Sequence, residues 1–401
     1  MRILFYRYNS ICEPDVLEAF RYYGLSVIEE TTEMTRKSLS DADRISLIQN
    51  HLDDTSSDDP YLFVFSINFY PAISEICQIY SVPYVCWTVD SPLAEIYSKS
   101  VTNSCNRLFL FDRQQYEDLH ALNPECIFHL PLCTNPSRWD RVLTGSGKND
   151  RQRFTSDISF VGSLYTEKDP WLSMPAVPDY IRGFADGLTE AQLQLVGCSI
   201  LSDSLTDEAA QTIAAAHPTQ FAVSEDSVMN MDRYVAGEHI LGMHASSLFR
   251  IRALQTLSQK FAVDLYTNSP APEAFDGPHI HGPVGTLTEM PLIFAQSRIN
   301  LNMTVYPIRS GLSLRIWDVL GCGGFLLTGQ QPELNDYFIP GRDLETFSSI
   351  EEMLDKCAFY LAHEDIRMRI AASGRQKVLK EHTYLHRIGR MLRIVAEHQI
   401  T

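Results

Sequence analysis

The chain has 401 residues, 45% of them hydrophobic and 21% charged, enough to build two globular cores of ordinary size. Its formal net charge of −17 argues against nucleic acid or an anionic membrane as the main partner, because both would repel it. No apolar run reaches membrane-spanning length, and the N-terminal MRILFYRYN lacks a secretory signal's apolar segment and cleavage site, so a cytoplasmic protein is expected.

Apolar runs of strand length alternate with amphipathic stretches, the pattern of α/β units wound around parallel sheets. The first part predicts strands at 2–6, 25–28, 61–67, 83–88, 107–111 and 126–130, with helices near 13–23, 37–51, 71–80 and 113–121. The segment Asp53–Asp59 reads as a solvated polar loop. Residues 131–155 carry Pro, Gly, Ser and mixed charge without lasting periodicity, which marks a linker. The expected division is a first domain at 1–135, a linker at 136–155 and a second domain at 156–385. A last helix, 386–401, is read as returning to the first domain. The second domain predicts strands near 157–161, 192–196, 261–267, 298–303, 324–328 and 344–347. Two Rossmann-like, doubly wound domains facing across a cleft would hold a ligand at the carboxyl ends of their strands. The nine cysteines are odd in number and form no CxxC pair, so reduced thiols are expected.

In the first domain, Tyr84-Val-Cys-Trp-Thr-Val-Asp90-Ser-Pro92 reads as a buried strand ending in a carboxylate and a proline turn. Asp90 is then a candidate general base towards an acceptor hydroxyl, or equally a cap on the next helix. The second domain opens with a strand ending in Gly162-Ser163, and Lys168 follows at phosphate reach. Tyr266, at the end of another strand, is a candidate for lining a base pocket, and the Gly282–Val284 backbone for pairing with a base edge. The alternative there is a strand, a turn and a strand with no ligand. His279 and His281 alternate like metal ligands, but no nearby third ligand is evident, and no metal site is expected. Asp41-Ala-Asp43 spells DxD inside a helical pattern and is discounted as a metal clamp.

The most informative stretch is Ser310-Gly-Leu-Ser-Leu-Arg-Ile-Trp-Asp318-Val-Leu-Gly-Cys-Gly-Gly324, a small, polar helix start running to a glycine cluster and then a buried strand. Such a start lets phosphate approach free N–H groups at the positive end of a helix dipole. Arg309 and Arg315 flank it, and Asp318 is spaced to meet sugar hydroxyls.

These residues, in this order, resemble the GT-B glycosyltransferases, and most nearly bacterial proteins related to the CgeB spore-maturation protein. The likeness rests on Ser297-Arg-Ile-Asn300-Leu-Asn302, Gly311–Gly324 with Phe-Leu-Leu-Thr, Glu333-Leu with Phe338, and His382-Thr-Tyr384 with Arg387. It extends to Phe160–Tyr165, Trp87–Pro92 and Phe111–Arg113. In this resemblance Gly311, Leu312, Ser313 and Leu314 cradle a diphosphate, Asp318 holds ribose and Lys168 contacts phosphate. Gly162, Ser163, Tyr266, Gly282, Val284, Arg309, Ser310 and Arg315 complete the donor site. Ser310 stands where the family places an acid, and Ser163 where it places an arginine. The resemblance implies a GT-B enzyme that needs no metal or cofactor, moving a sugar from a nucleotide-linked donor, UDP favoured, to a protein or polysaccharide. A non-catalytic binding module of the same fold is the alternative, with a nucleotide-sugar epimerase as a third reading.

Overall fold

Segments such as Tyr61–Ile67 (YLFVFSI) are apolar at nearly every position, so both their faces need cover. Parallel sheets flanked by helices supply that cover. The computed structural model describes residues 1–37, 39–54, 59–174, 177–216 and 227–398. Among them, two sheets of six strands form, and every strand pair is parallel.

The first sheet contains β1 (Arg2–Tyr6), β2 (Ser26–Glu30), β3 (Tyr61–Ile67), β4 (Tyr84–Trp87), β5 (Asn106–Leu110) and β6 (Ile127–His129), in the order β2-β1-β3-β4-β5-β6. The second contains β7 (Ser156–Val161), β8 (Val263–Tyr266), β9 (His279–His281), β10 (Ser297–Asn302), β11 (Leu326–Gly329) and β12 (Glu345–Phe347). Its order is β12-β11-β10-β7-β8-β9. Both are doubly wound, and the winding reverses between β1 and β3 in one sheet and between β7 and β10 in the other. Ligands of open α/β sheets bind outside the carboxyl ends of strands at such reversals.

The described residues form two compact units. One draws on Met1–Leu132, Val223–Met229 and Tyr384–Thr401, the other on Cys133–Ala222 and Asn230–Thr383. The first unit's core includes Phe5 and Phe20, which meet Phe65 edge-on with centroids 4.9 and 5.0 Å away. The helix Tyr384–Glu397 belongs to this unit and buries Tyr384, Ile388 and Met391. The Tyr384 ring lies 5.9 Å from that of Trp87, and Arg387 Nε donates to the Pro131 carbonyl at 2.8 Å.

Three sequence expectations need correction. The stretch expected as a linker folds as the helices Pro136–Gly145 and Lys148–Arg153, both within the second unit. Its polar signals are helix punctuation: Asn135 Oδ1 accepts from Arg138 N at 3.1 Å, with proline in the first turn. The strand expected at 192–196 does not form, because the helix Asp179–Gln192 runs up to it and a turn follows, with Leu195 N bonded to Gln192 O at 2.9 Å. The helix expected over 37–51 forms as Asp41–Leu52, starting four residues later, and a separate single turn, Thr32–Thr35, precedes it. Ser40 and Asp43 form a capping box there, so the DxD string is a helix start. The polar loop at 53–59 lies partly outside the described residues. All nine cysteines are free, and all but Cys198 are buried.

Candidate active site

At the reversal of the second sheet, β7 exits through Gly162, whose N–H extends the ladder to Tyr266 O at 3.0 Å. Hydroxyl groups hold the turn that follows. Ser163 Oγ lies 2.9 Å from Ser269 Oγ and donates to Glu167 Oε1 at 3.0 Å, while Leu164 N donates to Ser269 Oγ at 2.8 Å. A cation reaches this turn from the helix Met243–Ser258. Arg250 Nη1 donates to the Ser163 carbonyl at 2.6 Å, and Nε to the Met303 carbonyl at 3.2 Å. This one guanidinium therefore ties the exit of β7 to that of β10. It sits 4.8 Å from the ring centroid of Tyr165, and Lys168 Nζ lies 6.0 Å from the same ring. Tyr165 holds a left-handed backbone (φ 61°), and Lys168 is exposed on the single turn Thr166–Lys168.

The helix beside β10 spans Leu314–Gly321, starting four residues later than Ser310. Ser313 is its N-cap residue but caps nothing; its hydroxyl turns to Asn302 Oδ1 at 3.3 Å. The N–H groups of Leu312, Ser313 and Leu314 thus have no partner among the described residues. Gly311 and Leu312 are buried in the approach. Arg315 leaves the first turn with its guanidinium 5.3 Å from the Phe294 ring centroid and in contact with the Met290 sulfur. Among the described residues, neither Arg250 nor Arg315 forms an ion pair. Burial lowers the pKa of both; Asp318 opposes this at Arg315, and Arg250 adds to it. A buried and a half-buried guanidinium, neither in an ion pair among the described residues, beside a row of unpaired N–H groups, make a site for an anion with several charges. The helix ends at Gly321, and a Cβ on Gly324 would lie 2.5 Å from Phe294 O, a close approach that only glycine permits.

Several expected donor residues are placed differently. Asp318 is 4% exposed, and its Oδ1 accepts from Thr134 Oγ1 at 2.6 Å, which itself accepts from Trp139 Nε1 at 2.6 Å. The helix turns this carboxylate inward, towards Pro136–Gly145, so it is engaged within the unit. Tyr266 is also buried: the β8–β9 register sets it opposite His281, whose ring stacks on it at 4.4 Å and 11°. Its face is covered, which corrects its assignment to a base pocket. Gly282 is exposed and Val284 half-buried, and neither backbone is hydrogen-bonded to the described residues. Arg309 is half-buried. At Ser310, the acid missing from the sequence is supplied in space. Ser310 Oγ donates to Glu333 Oε1 at 2.8 Å, and Glu333 N donates to Ser310 O at 3.2 Å. Beside these groups, Val196, Cys198, Phe249, Met303, Tyr306 and Gln330 line a pocket at the ends of β10 and β11.

The first unit carries its own cluster at the β1–β3 reversal. Asn68, just past β3 in the left-handed region (φ 58°), donates from Nδ2 to Asp90 Oδ2 at 2.6 Å and to Tyr8 Oη at 2.9 Å. Its Oδ1 accepts from Val89 N at 2.9 Å. Burial and the adjacent Asp90 raise the pKa of Tyr8, so it stays a neutral phenol. Asp90 is exposed and caps no helix, since the next turn begins at Glu95. The helix-cap alternative for Asp90 is thereby removed.

Comparison with known proteins adds an independent finding. Residues 250–393 match the family model described as glycosyl transferase-like. The chain thus carries a glycosyltransferase-like domain in its carboxyl-terminal part. In architecture it is similar over 99% of its length to a glycosyltransferase from Rickettsia africae, at 10% identity, TM-score 0.52 and 98% of that chain. It is similar to Anabaena HepE in complex with UDP-glucose over 99% and 100% of the two chains, at 7% identity and TM-score 0.51. A UDP-forming α,α-trehalose-phosphate synthase from Burkholderia xenovorans aligns over 100% and 99%, at 10% identity and TM-score 0.55. The fold is that of the GT-B glycosyltransferases. None of the curated proteins matches in sequence.

The glycosyltransferase-like match begins at Arg250. Sequence reasoning missed this residue because it lies mid-helix, with no motif around it and 87 positions from the serine carbonyl it holds. Glu333 was visible only as part of a resemblance. Asn68 and Tyr8 had a usable signal: they lie one and two residues past apolar strands whose carboxyl ends should face a ligand.

Proposed function

We propose that the protein is a glycosyltransferase, related to the CgeB-like proteins, that takes a sugar from a nucleoside diphosphate donor and passes it to a hydroxyl of a protein or polysaccharide. The observation that carries this reading is the placing of Arg250, buried, and Arg315, half-buried, neither in an ion pair among the described residues, beside the uncapped start of Leu314–Gly321. The free N–H groups of Leu312–Leu314 and the two guanidinium groups would take the diphosphate, with Lys168 at its solvent side. They would stabilise the negative charge that grows on the leaving diphosphate without a metal ion. Val284 N and the Gly282 carbonyl are the assigned contacts for the base. Ser310 and Glu333 together provide the hydroxyl and carboxylate for the donor sugar. Asp318 supports the helix through Thr134. Asp90, held by Asn68 and next to neutral Tyr8, is assigned the proton of the acceptor hydroxyl. UDP is the preferred nucleotide, in keeping with Anabaena HepE, whose structure of the same fold is described with UDP-glucose.

A second reading, a binding module without turnover, is favoured by Ser310 in place of an acid. Thermal unfolding against UDP, GDP, TDP, ADP and CMP, each with and without EDTA, tests the donor assignment. A ligand at a hundred times its dissociation constant adds about 2.7 kcal/mol to the folded state. One responder, indifferent to EDTA, is expected, followed by sugar release from the matching donor. No response to any nucleotide would refute the donor site. Binding without release of sugar would establish the module.

A further inference from the structure

The edge of the second sheet carries a side-chain cluster that the transfer reaction does not use. β9 pairs with β8 through Asp264↔His279, Leu265↔Ile280 and Tyr266↔His281. Side chains alternate along a strand, so His279 and His281 share one face, and parallel pairing sets Asp264 beside His279 on that face. His281 Nε2 lies 2.7 Å and His279 Nδ1 3.3 Å from the same Asp264 Oδ1, and the three candidate ligand atoms lie within 4.8 Å of one another. The third ligand that the sequence could not show comes from the neighbouring strand. Stacking on Tyr266 fixes the His281 ring. His279 remains 78% exposed, so the cluster is open to solvent.

We infer that Asp264, His279 and His281 form a binding site for a zinc-like divalent cation. Two imidazoles and one carboxylate suit Zn²⁺ and its Co²⁺ and Ni²⁺ relatives; Mg²⁺ and Ca²⁺ favour all-oxygen sets. Tetrahedral ligands about 2.0–2.1 Å from zinc stand roughly 3.3 Å apart. The His279–Asp264 separation of 3.3 Å already meets this; the 2.7 Å contact of His281 has to open by a rotation of the carboxylate, and the exposed His279 side chain has to swing so that the two imidazole nitrogens, within 4.8 Å, come to that spacing. Three protein ligands leave a fourth position for water. The ion would clamp β9, the edge strand, to β8. The site is assigned from its own geometry and stands apart from the donor reading.

The test uses the full chain stripped with chelator, titrated with Zn²⁺ alone by calorimetry and with Co²⁺ by visible absorption. One ion per chain is expected, with a tetrahedral cobalt band. His279→Ala, at an exposed position, should lose at least tenfold in affinity together with that band, and Asp264→Asn likewise. The thermal shift with UDP in metal-free buffer should be unchanged in His279→Ala. No saturable Zn²⁺ binding by the wild type, or equal binding by both variants, would overturn the inference. Loss of the UDP shift in the wild type would instead count against the donor site.

Discussion

Replacing Arg315 with Met separates a ligand-binding arginine from a structural one by the sign of two effects. In the free protein the guanidinium lies against the Met290 sulfur and 5.3 Å from the Phe294 ring, forms no ion pair among the described residues, and is disfavoured by burial and by Arg250, with Asp318 acting in the opposite sense. A methionine fills the same apolar channel between these groups without the second charge. The folded state should therefore lose nothing, and a gain of about 0.5–2 kcal/mol is the expectation for relieving such strain at a functional site. With nucleotide bound, the same change removes a charge-assisted hydrogen bond to phosphate, worth about 1.5–3 kcal/mol. That corresponds to a weakening of UDP binding by about 10- to 150-fold. Arg315→Lys keeps the charge but loses the planar fork, and should fall between the two. Calorimetry with UDP and urea denaturation, both at low and physiological salt, supply the two numbers. UDP affinity within twofold of wild type, or a stability loss beyond 2 kcal/mol, would refute the reasoning.

Other outcomes follow from the same geometry. Asp90→Asn keeps a similar shape beside Asn68 while removing the base; sugar transfer should fall by about 10²–10⁴-fold with donor affinity unchanged in calorimetry. His239 is buried, and its pKa is lowered to about 3 by that burial. The unfolded chain takes up this proton near pH 6.5, the folded chain only near 3, so stability is full above about 6.5 and falls as the pH drops towards 3. Stability curves of wild type and His239→Gln between pH 7 and 4 should diverge at low pH, with the wild type losing up to about 1.4 kcal/mol more per pH unit. Gly374→Ala would press a methyl group into the Asp343 carbonyl and the Leu320 side chain, a loss of about 2 kcal/mol readable by urea denaturation.

Most of the fold was legible because parallel strands buried on both faces carry long apolar runs, as in Tyr61–Ile67, and because their helices begin and end at recognisable caps. The failures have one origin. Between 131 and 155, proline, asparagine and glycine punctuate two helices, and the same residues would punctuate a linker; only burial of Trp139 against Thr134 decides between them. At the candidate site, the phosphate-facing backbone could be read from small residues around 311–314, since that signal is local. The contributions of Arg250 and Glu333 could not, because each reaches its place through tertiary packing, across 87 and 23 positions. The same holds for Asp264, which turns a weak two-histidine spacing into a three-ligand cluster through strand register.

The first unit is assembled from separated parts of the chain, with the helix Tyr384–Glu397 among them. During translation, residues up to Leu132 leave the ribosome roughly 250 positions ahead of that helix. At about 5–20 residues per second this is a wait on the order of 10–50 s. Throughout it, Trp87 lacks its ring partner Tyr384, and the Pro131 carbonyl lacks the Arg387 guanidinium. The nascent first sheet is thus an incomplete folding unit whose uncovered flank is a natural substrate for chaperones. Shortening the gene before codon 384 should yield insoluble protein even though every strand of both sheets would still be encoded.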